Sequence, residues 1–292
     1  METARCKAFL AAAQTGSFTR AAAQLNYTPS GVSQLVSALE KDFGFSLFLR
    51  GKKGVVLTEN GAHLLPAVQE FLAQEDRLFS LATQINGLLT GSVAIAAYSS
   101  IATHWLPAVI RVFQRDYPQV QITMREGIRQ EVVNWLDTRQ VDLAFLSYME
   151  PMPYQWVPLG EDPMLAVLPK EHPLADAPAY PLKNCAEDPF IMPALGRDDD
   201  VVALFESCGI VPNIKFTTLE NFAALAMVEQ GLGVSVMNEL ITRKRLCDVV
   251  KRPIDPPASI LLGAAYPSQD SLSPAAKKFL EYSVTQLEKR TK

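Results

Sequence analysis

Apolar residues recur along the first sixty positions with a helical period that later gives way to alternation. Between Thr3 and Gln14, the residues Cys6, Phe9, Leu10 and Ala13 fall on one side, which predicts a helix that Gly16 is placed to end. The alanine-rich stretch Phe18 to Leu25 predicts a second short helix with Ser17 as its cap, and Asn26-Tyr27 then turns the chain. Thr28-Pro29 is a strong helix start, a hydroxyl at the cap followed by a proline where no amide hydrogen is missed. From there Val32, Val36, Leu39 and Phe43 form an inward stripe, while the other face carries Ser30, Ser33, Gln34 and Ser37, with Lys41 beyond. After Gly44 the pattern changes. Ser46–Arg50 and Val55–Thr58 read as short strands around Gly51-Lys52-Lys53-Gly54, a tight turn with two lysines at its tip. Three helices and such a hairpin predict a winged helix-turn-helix.

A longer pattern follows. Thr58 is placed to cap a helix predicted to reach about Leu88, on which Leu64, Val68, Phe71, Leu78, Ala82 and Ile85 follow heptad steps broken only at Glu75. Pro66 predicts a kink near its start. A lone helix cannot hide such a stripe, so a second copy of the chain is the expected cover. The segment Gly87–Gly91 reads as a hinge. Beyond it, apolar runs at Val93–Tyr98, Val120–Met124, Val141–Tyr148, Met164–Leu168, Phe190–Met192, Ile214–Thr217, Val234–Met237 and Ile260–Tyr266 predict strands that alternate with helical patterns. That alternation predicts an α/β architecture with mostly parallel sheets. Proline-rich Glu150–Pro163 is expected to be a loop zone with a short strand near Trp156.

Length and composition narrow the class. The chain has 292 residues, 48% of them apolar and 20% charged, which excludes wholesale disorder and points to two or more folded modules. No apolar run is long enough for a spanning helix and the N-terminus does not read as a cleaved signal, so a cytoplasmic protein without a membrane partner is expected. Charge is uneven. Residues 1–60 carry Arg5, Lys7, Arg20, Lys41, Arg50, Lys52 and Lys53 against Glu2, Glu40, Asp42 and Glu59, whereas the remainder is acidic and brings the chain to −4. A basic head suits a polyanion. Short hydroxyl and amide side chains let a helix lie close in a major groove, so Ser30, Ser33, Gln34 and Ser37 are expected to meet base edges, and Arg50, Lys52 and Lys53 to meet the phosphate backbone or an adjacent minor groove. Three histidines (His63, His104, His172) offer little for catalysis, and hydrolase, nucleotide-loop and zinc-protease motifs are absent, so no enzyme, cofactor or metal is expected. Four scattered cysteines leave a redox-sensing regulator using Cys185 and Cys208 as an alternative, beside a cytosolic small-molecule binding protein.

The stretch FLAAAQTGSFTRAAAQLNYTPSGVSQLVSALEKDFGFSLFLR, followed by VVLTENGAHLLP, resembles the LysR-type transcriptional regulators across about the first 66 residues. It departs from them where Leu35 and Ser37 replace the frequent extra Arg or Lys, and where Gly31 replaces alanine. The resemblance implies a sequence-specific regulator of double-stranded DNA, with Ser17, Thr19, Arg20, Thr28, Pro29, Ser30, Ser33, Gln34, Ser37, Arg50, Lys52 and Lys53 as candidate contacts. It implies a homodimer built by antiparallel linker helices, a homotetramer above it, and RNA polymerase as a further partner. It also implies a winged helix-turn-helix over 1–60, a linker helix and hinge over 61–91, and a two-lobed, Rossmann-like, periplasmic-binding-protein-type effector domain over 92–292. Lobe I would take about 92–164 and 267–292, and lobe II about 165–266, with crossovers near Met164–Pro169 and Leu262–Pro267. Ligands in such sheets bind beyond strand ends, at helix starts. Ser99, Ser100, Ile101, Ser147, Tyr148, Met192, Pro193, Ala194, Thr217, Thr218 and Asn221 are therefore the candidate effector residues, and their hydroxyls and helix starts suit a small anion.

Overall fold

The computed structural model describes residues 2–51, 54–85, 89–243 and 247–288. The chain divides into two compact units at Gly91/Ser92.

The N-terminal unit holds α1 (Thr3–Thr15), α2 (Phe18–Leu25), α3 (Pro29–Phe43), β1 (Phe48–Gly51), β2 (Gly54–Leu57) and α4 (Glu59–Ile85). Its helices start where side chains replace missing carbonyl partners. Ser17 accepts from the Arg20 amide, Thr28 from Gly31 and Thr58 from Gly61. Left-handed Gly16 and Gly44 end α1 and α3. Phe9, Ala12, Ala21, Val32, Val36, Leu39 and Leu47 form the wholly buried centre. The hairpin pairs Phe48 with Leu57 and Gly51 with Gly54; its tip, Lys52 and Lys53, lies outside the described residues.

Helix α4 runs on through Pro66. Its stripe divides differently from the heptad expectation. Val68 is 3% exposed and, with Leu72, is part of the core of its own unit, and Leu64 packs against that core. Farther along, Phe71 (38%), Leu78 (66%) and Phe79 (65%) are exposed, as is Ala82. The first turns of the helix must close the three-helix head, so Leu64 and Val68 are not free for a second copy. The side chain of Ile85 lies outside the described residues, as do Gly87 and Leu88 of the expected hinge Gly87–Gly91, whose last residue opens the first strand of the second unit.

The second unit contains β3 (Gly91–Ala97), α5 (Ser99–His104), α6 (Leu106–Asp116), β4 (Val120–Glu126), α7 (Arg129–Asp137), β5 (Leu143–Ser147) and β6 (Gln155–Pro169). There follow β7 (Tyr180–Pro181), β8 (Phe190–Met192), α8 (Asp199–Cys208), β9 (Ile214–Thr217), α9 (Asn221–Glu229), β10 (Ser235–Asn238), α10 (Glu239–Thr242), β11 (Val249–Asp255), β12 (Ser259–Tyr266) and α11 (Pro274–Glu288). One sheet runs β4-β3-β5-β12-β6-β11-β7 with β10 also on β6, and β8 pairs β9 separately. The expectation of mostly parallel sheets is corrected. β3/β5, β8/β9 and β11/β7 are parallel, but β12 pairs antiparallel with β5 and β6, and β10 and β11 pair antiparallel with β6. The cause is β6, which crosses from lobe to lobe as one 15-residue strand where a proline-rich loop was expected, with β12 returning beside it. Their ladder slips between Leu262 and Gly263. A Cβ on Gly263 would stand 2.4 Å from the Trp156 ring and from the Val157 carbonyl, so the close crossing demands glycine.

Strand alternation builds lobe I. Ala144 and Leu146 meet Val132 and Leu136 of α7, while Phe145 between them meets Phe279 of α11, which packs edge-on to Phe113 of α6. In lobe II, Phe190, Phe205, Leu168 and Val236 share one core, and Val167, Ile191, Ala224 and Val228 another beneath α9.

Candidate functional site

Two surfaces carry chemistry. On α3, Ser30, Gln34 and Ser37 are exposed and Ser33 is half-buried, and Thr19 and Arg20 of α2 are exposed nearby in the chain. Thr28 and Ser17 act as the helix caps and Pro29 opens α3. Arg50 departs from the expectation of a phosphate contact out on the wing. Its guanidinium donates to Ser33 Oγ (3.2 Å), Ser37 Oγ (2.9 Å) and Glu40 Oε2 (3.2 Å), and lies 5.2 Å from the centre of the Phe18 ring. Glu40 in turn accepts from the Leu47 and Phe48 amides, which ties β1 to α3. The hairpin is held on its other side by Val55 donating to the Gly16 carbonyl. A Cβ at Gly54 (φ +125°) would stand 2.3 Å from that same oxygen, so only glycine lets the wing dock there.

Between the lobes of the second unit lies a cavity of about 760 Å³. Of the expected effector residues, Ser99, Ser100, Ala194 and Asn221 line it. Ile101, Met192 and Pro193 do not. They are buried, and Met192 belongs to the core of lobe II. Thr217 and Thr218 stand back from the cavity, with Thr218 Oγ1 donating to the Glu220 carbonyl, and Leu219 to Phe222 take the wall instead. Tyr148 donates to Glu150 and packs on Trp156, away from the cavity wall.

Ser147 is wholly buried and is the hub of a bridge between the lobes. Its hydroxyl donates to Asp200 Oδ2 of α8 at 2.9 Å and accepts from Arg129 Nη1 at 3.0 Å, and Tyr98 OH lies 3.2 Å away. Arg129 Nη1 also donates to the Ser147 carbonyl at 3.0 Å and to Tyr98 OH at 3.3 Å. Burial, with the charge of Asp198 added, pushes Asp200 up to about 6, against the pull of Ser147 and Arg129. Burial and the neighbouring Asp200 carboxylate raise Tyr98 and keep its phenol protonated. Asp198 caps α8, accepting from the Asp200 and Val201 amides, and burial raises it too.

Sequence reasoning missed Tyr98, Arg129 and Asp200. Arg129 had a signal, since it opens α7 just beyond β4 as Ser99 opens α5 just beyond β3. The run Asp198–Asp200 reads in sequence as acidic decoration of a helix start; one member reaches across the lobes instead. The cavity wall carries Glu126, Glu131, Asp198, Asp199, Asp200 and Glu220 against Arg129 and Arg197, and Arg197 is 3.8 Å from Asp199.

Other chemistry has less support. Cys185 is buried, and burial pushes its thiol up to about 12, far from the thiolate a redox switch uses. His172 pairs with Asp188 at 3.3 Å and His63 is exposed on α4. Among the described residues no His, Cys, Asp or Glu group is arranged to hold a metal ion, and no helix is long and apolar enough to cross a membrane.

A winged helix-turn-helix and a two-lobed unit with a polar cavity, carried in one chain, define a DNA-binding regulator with an effector-binding domain. The chain belongs to the LysR family of transcriptional regulators. Residues 4–62 match the family described as bacterial regulatory helix-turn-helix protein, lysR family, and residues 86–288 match the LysR substrate binding domain. It is 32% identical over 285 residues to the uncharacterized HTH-type transcriptional regulator YvbU of Bacillus subtilis (strain 168), covering 96% of this chain and 97% of that one. The crystal structure of HinK, a LysR family transcriptional regulator from Pseudomonas aeruginosa, is similar at 28% identity and a TM-score of 0.60, over 98% of each chain. The effector binding domain of QuiR in complex with shikimate shares the fold, with a TM-score of 0.61 at 22% identity, over 68% of this chain and 98% of that one.

Proposed function

We propose that this regulator, acting in the cytoplasm, binds operator DNA through α3, the start of α2 and the wing, and that a small molecule seated beside the Ser147 bridge tunes that binding. The observation that carries the effector half is the bridge itself. Ser147 of lobe I, itself held by Arg129 and Tyr98, donates to Asp200 of lobe II at the edge of the cavity, so a ligand that competes for or completes these bonds has different contacts in the open and closed lobes. That difference is what a ligand needs in order to shift a conformational equilibrium. QuiR, whose effector domain shares this fold, holds shikimate, which supports a small polar ligand.

The wall does not favour the small anion that the hydroxyls and helix starts suggested. The first amides of α8 are already capped by Asp198, and the charge of Arg129 is opposed by Asp200. The carboxylate excess that remains suits a ligand bringing hydrogen-bond donors or positive charge. The exposed Phe71, Leu78 and Phe79 of α4 support a homodimer through that helix; a homotetramer and contact with RNA polymerase follow from the resemblance.

Thermal melts of the full chain against matched sets of small amines, polyols and carboxylates test the cleft. A bound compound raises Tm by mass action, by about 2.7 kcal/mol of stability at a hundredfold excess over Kd. The rise should come from amines or polyols and vanish in Ser99→Trp, which fills the cavity wall. A rise from carboxylates alone would reverse the charge reading.

A further inference from the structure

The recognition helix of this chain carries no arginine of its own on its groove face, where Ser30, Ser33, Gln34 and Ser37 stand. The structure supplies one from another element. Arg50, on β1, reaches back across the hairpin and spreads its guanidinium over Ser33 and Ser37, one turn apart on α3, with Phe18 beneath it and Glu40 at its edge. The position is over-determined. Glu40 is fixed by two backbone amides of the β1 segment as well as by Arg50, and its side chain is only 16% exposed. The Arg50 side chain is 46% exposed, so the charge is anchored but not hidden.

We propose that Arg50 is a base-reading residue of this regulator, held on α3 by Ser33 and Ser37, and that the three together select guanine in the major groove. The inference rests on the reading of α3 as the groove helix. Its chemistry follows from the direction of the hydrogen bonds. Both serine oxygens accept from Arg50, so each hydroxyl keeps its own proton to donate elsewhere, and the adjacent cation makes the outward potential positive. The three bonds of Arg50 use three of the five N–H groups that a guanidinium carries. The free N–H groups of the guanidinium, backed by its positive charge, fit acceptors. Guanine presents two, N7 and O6, side by side in the major groove, whereas the amino groups of adenine and cytosine present donors that these N–H groups repel. Ser37, at a place where relatives in the family often carry a basic residue, holds Arg50 instead, which brings a cation to this face.

The experiment is selection from randomised duplex DNA by the full chain, with wild type, Arg50→Ala, Arg50→Lys and the pair Ser33→Ala/Ser37→Ala, each followed by salt titration of the selected site and a thermal melt. Wild type should enrich guanine at symmetric positions. Arg50→Ala should lose about tenfold or more in preference at those positions, and Arg50→Lys should not restore it, because an ammonium cannot span two hydroxyls. The serine pair should relax the same positions as Arg50→Ala with the salt slope unchanged, since neither hydroxyl carries charge. If Arg50→Ala weakened all duplexes equally and lowered the salt slope by about one, Arg50 would be a phosphate contact and the proposal would fall. Unchanged base preference in the serine pair, or wild-type enrichment of adenine or cytosine amino edges, would overturn it while leaving α3 as the groove helix. Binding that ignored sequence in every variant would remove that helix reading as well.

Discussion

At the scale of single residues, Asp200 makes the sharpest demand. An aspartate ordinarily titrates in the usual carboxylate range, yet burial and the neighbouring charge of Asp198 hold Asp200 at about 6 in the folded chain. The folded state therefore keeps the proton more tightly than the unfolded state. The resulting stability is full below about pH 4 and is lost as the pH rises through about 6. Asp200→Asn cannot ionise and keeps an oxygen for the Ser147 hydroxyl. Its Tm should match wild type near pH 3.5 and exceed it by a few degrees at pH 7.5, a difference of roughly 2–3 kcal/mol, with about half of that difference present by pH 5. A wild type more stable than the variant at pH 7.5 would mean that Ser147 and Arg129 outweigh the burial. This residue also shows where sequence reading ends. A run of three aspartates before a helix looks like N-terminal charge, and Asp198 does serve that way, but nothing local marks the third aspartate as the partner of a serine 53 positions earlier.

At the scale of elements, the pattern of α4 was legible but its division was not. Heptad spacing finds Leu64, Val68, Phe71 and Leu78 without saying which neighbour covers each, and it passes over Leu72 and Phe79. Val68 turned out to close the core of its own head, while Phe71, Leu78 and Phe79 remain exposed. The two groups should respond differently. Val68→Ala should cost about 2 kcal/mol of stability in a melt and leave the assembled mass unchanged. Leu78→Glu with Phe79→Glu should leave Tm of the head nearly unchanged and halve the mass seen by light scattering, and a full-sized assembly would place the dimer seam elsewhere. The short helices were the most readable elements, because Ser17, Thr28, Gly16 and Gly44 act through their own neighbours. Strand β6 was the least readable. Its prolines look like a loop, but Pro158 falls opposite Gly263, where the ladder slips and the missing amide costs little. Gly263→Ala should accordingly destabilise the second unit by about 1–3 kcal/mol, since the added methyl meets Trp156 and backbone.

At the scale of the whole molecule, the two functions draw on opposite charges, and that makes them separable. The head is basic within a chain of net charge −4, so its grip on DNA depends on releasing counterions and should fall steeply between 50 and 200 mM salt. The cavity wall carries a carboxylate excess that accepts from a ligand's donors, so a cationic effector would be screened by the same salt through a different set of residues. The head was readable because its signals are local; the cavity was half readable, since strand ends announce Ser99 and Ser100 but not which residue of the opposite lobe faces them. Ser99→Trp tests the separation directly. Ser99 is only partly buried, so the indole has room to enter the cavity, whereas at wholly packed Ser100 it would disrupt α5. The variant should bind operator DNA with the wild-type salt slope in a mobility shift, yet give no change in that binding, and no rise in Tm, when an effector of the wild type is added. Because the ligand shifts affinity only through its preference for one lobe arrangement, removing its seat must remove both effects together. A variant that lost the melt shift but kept the DNA response would require a second effector site outside the cleft.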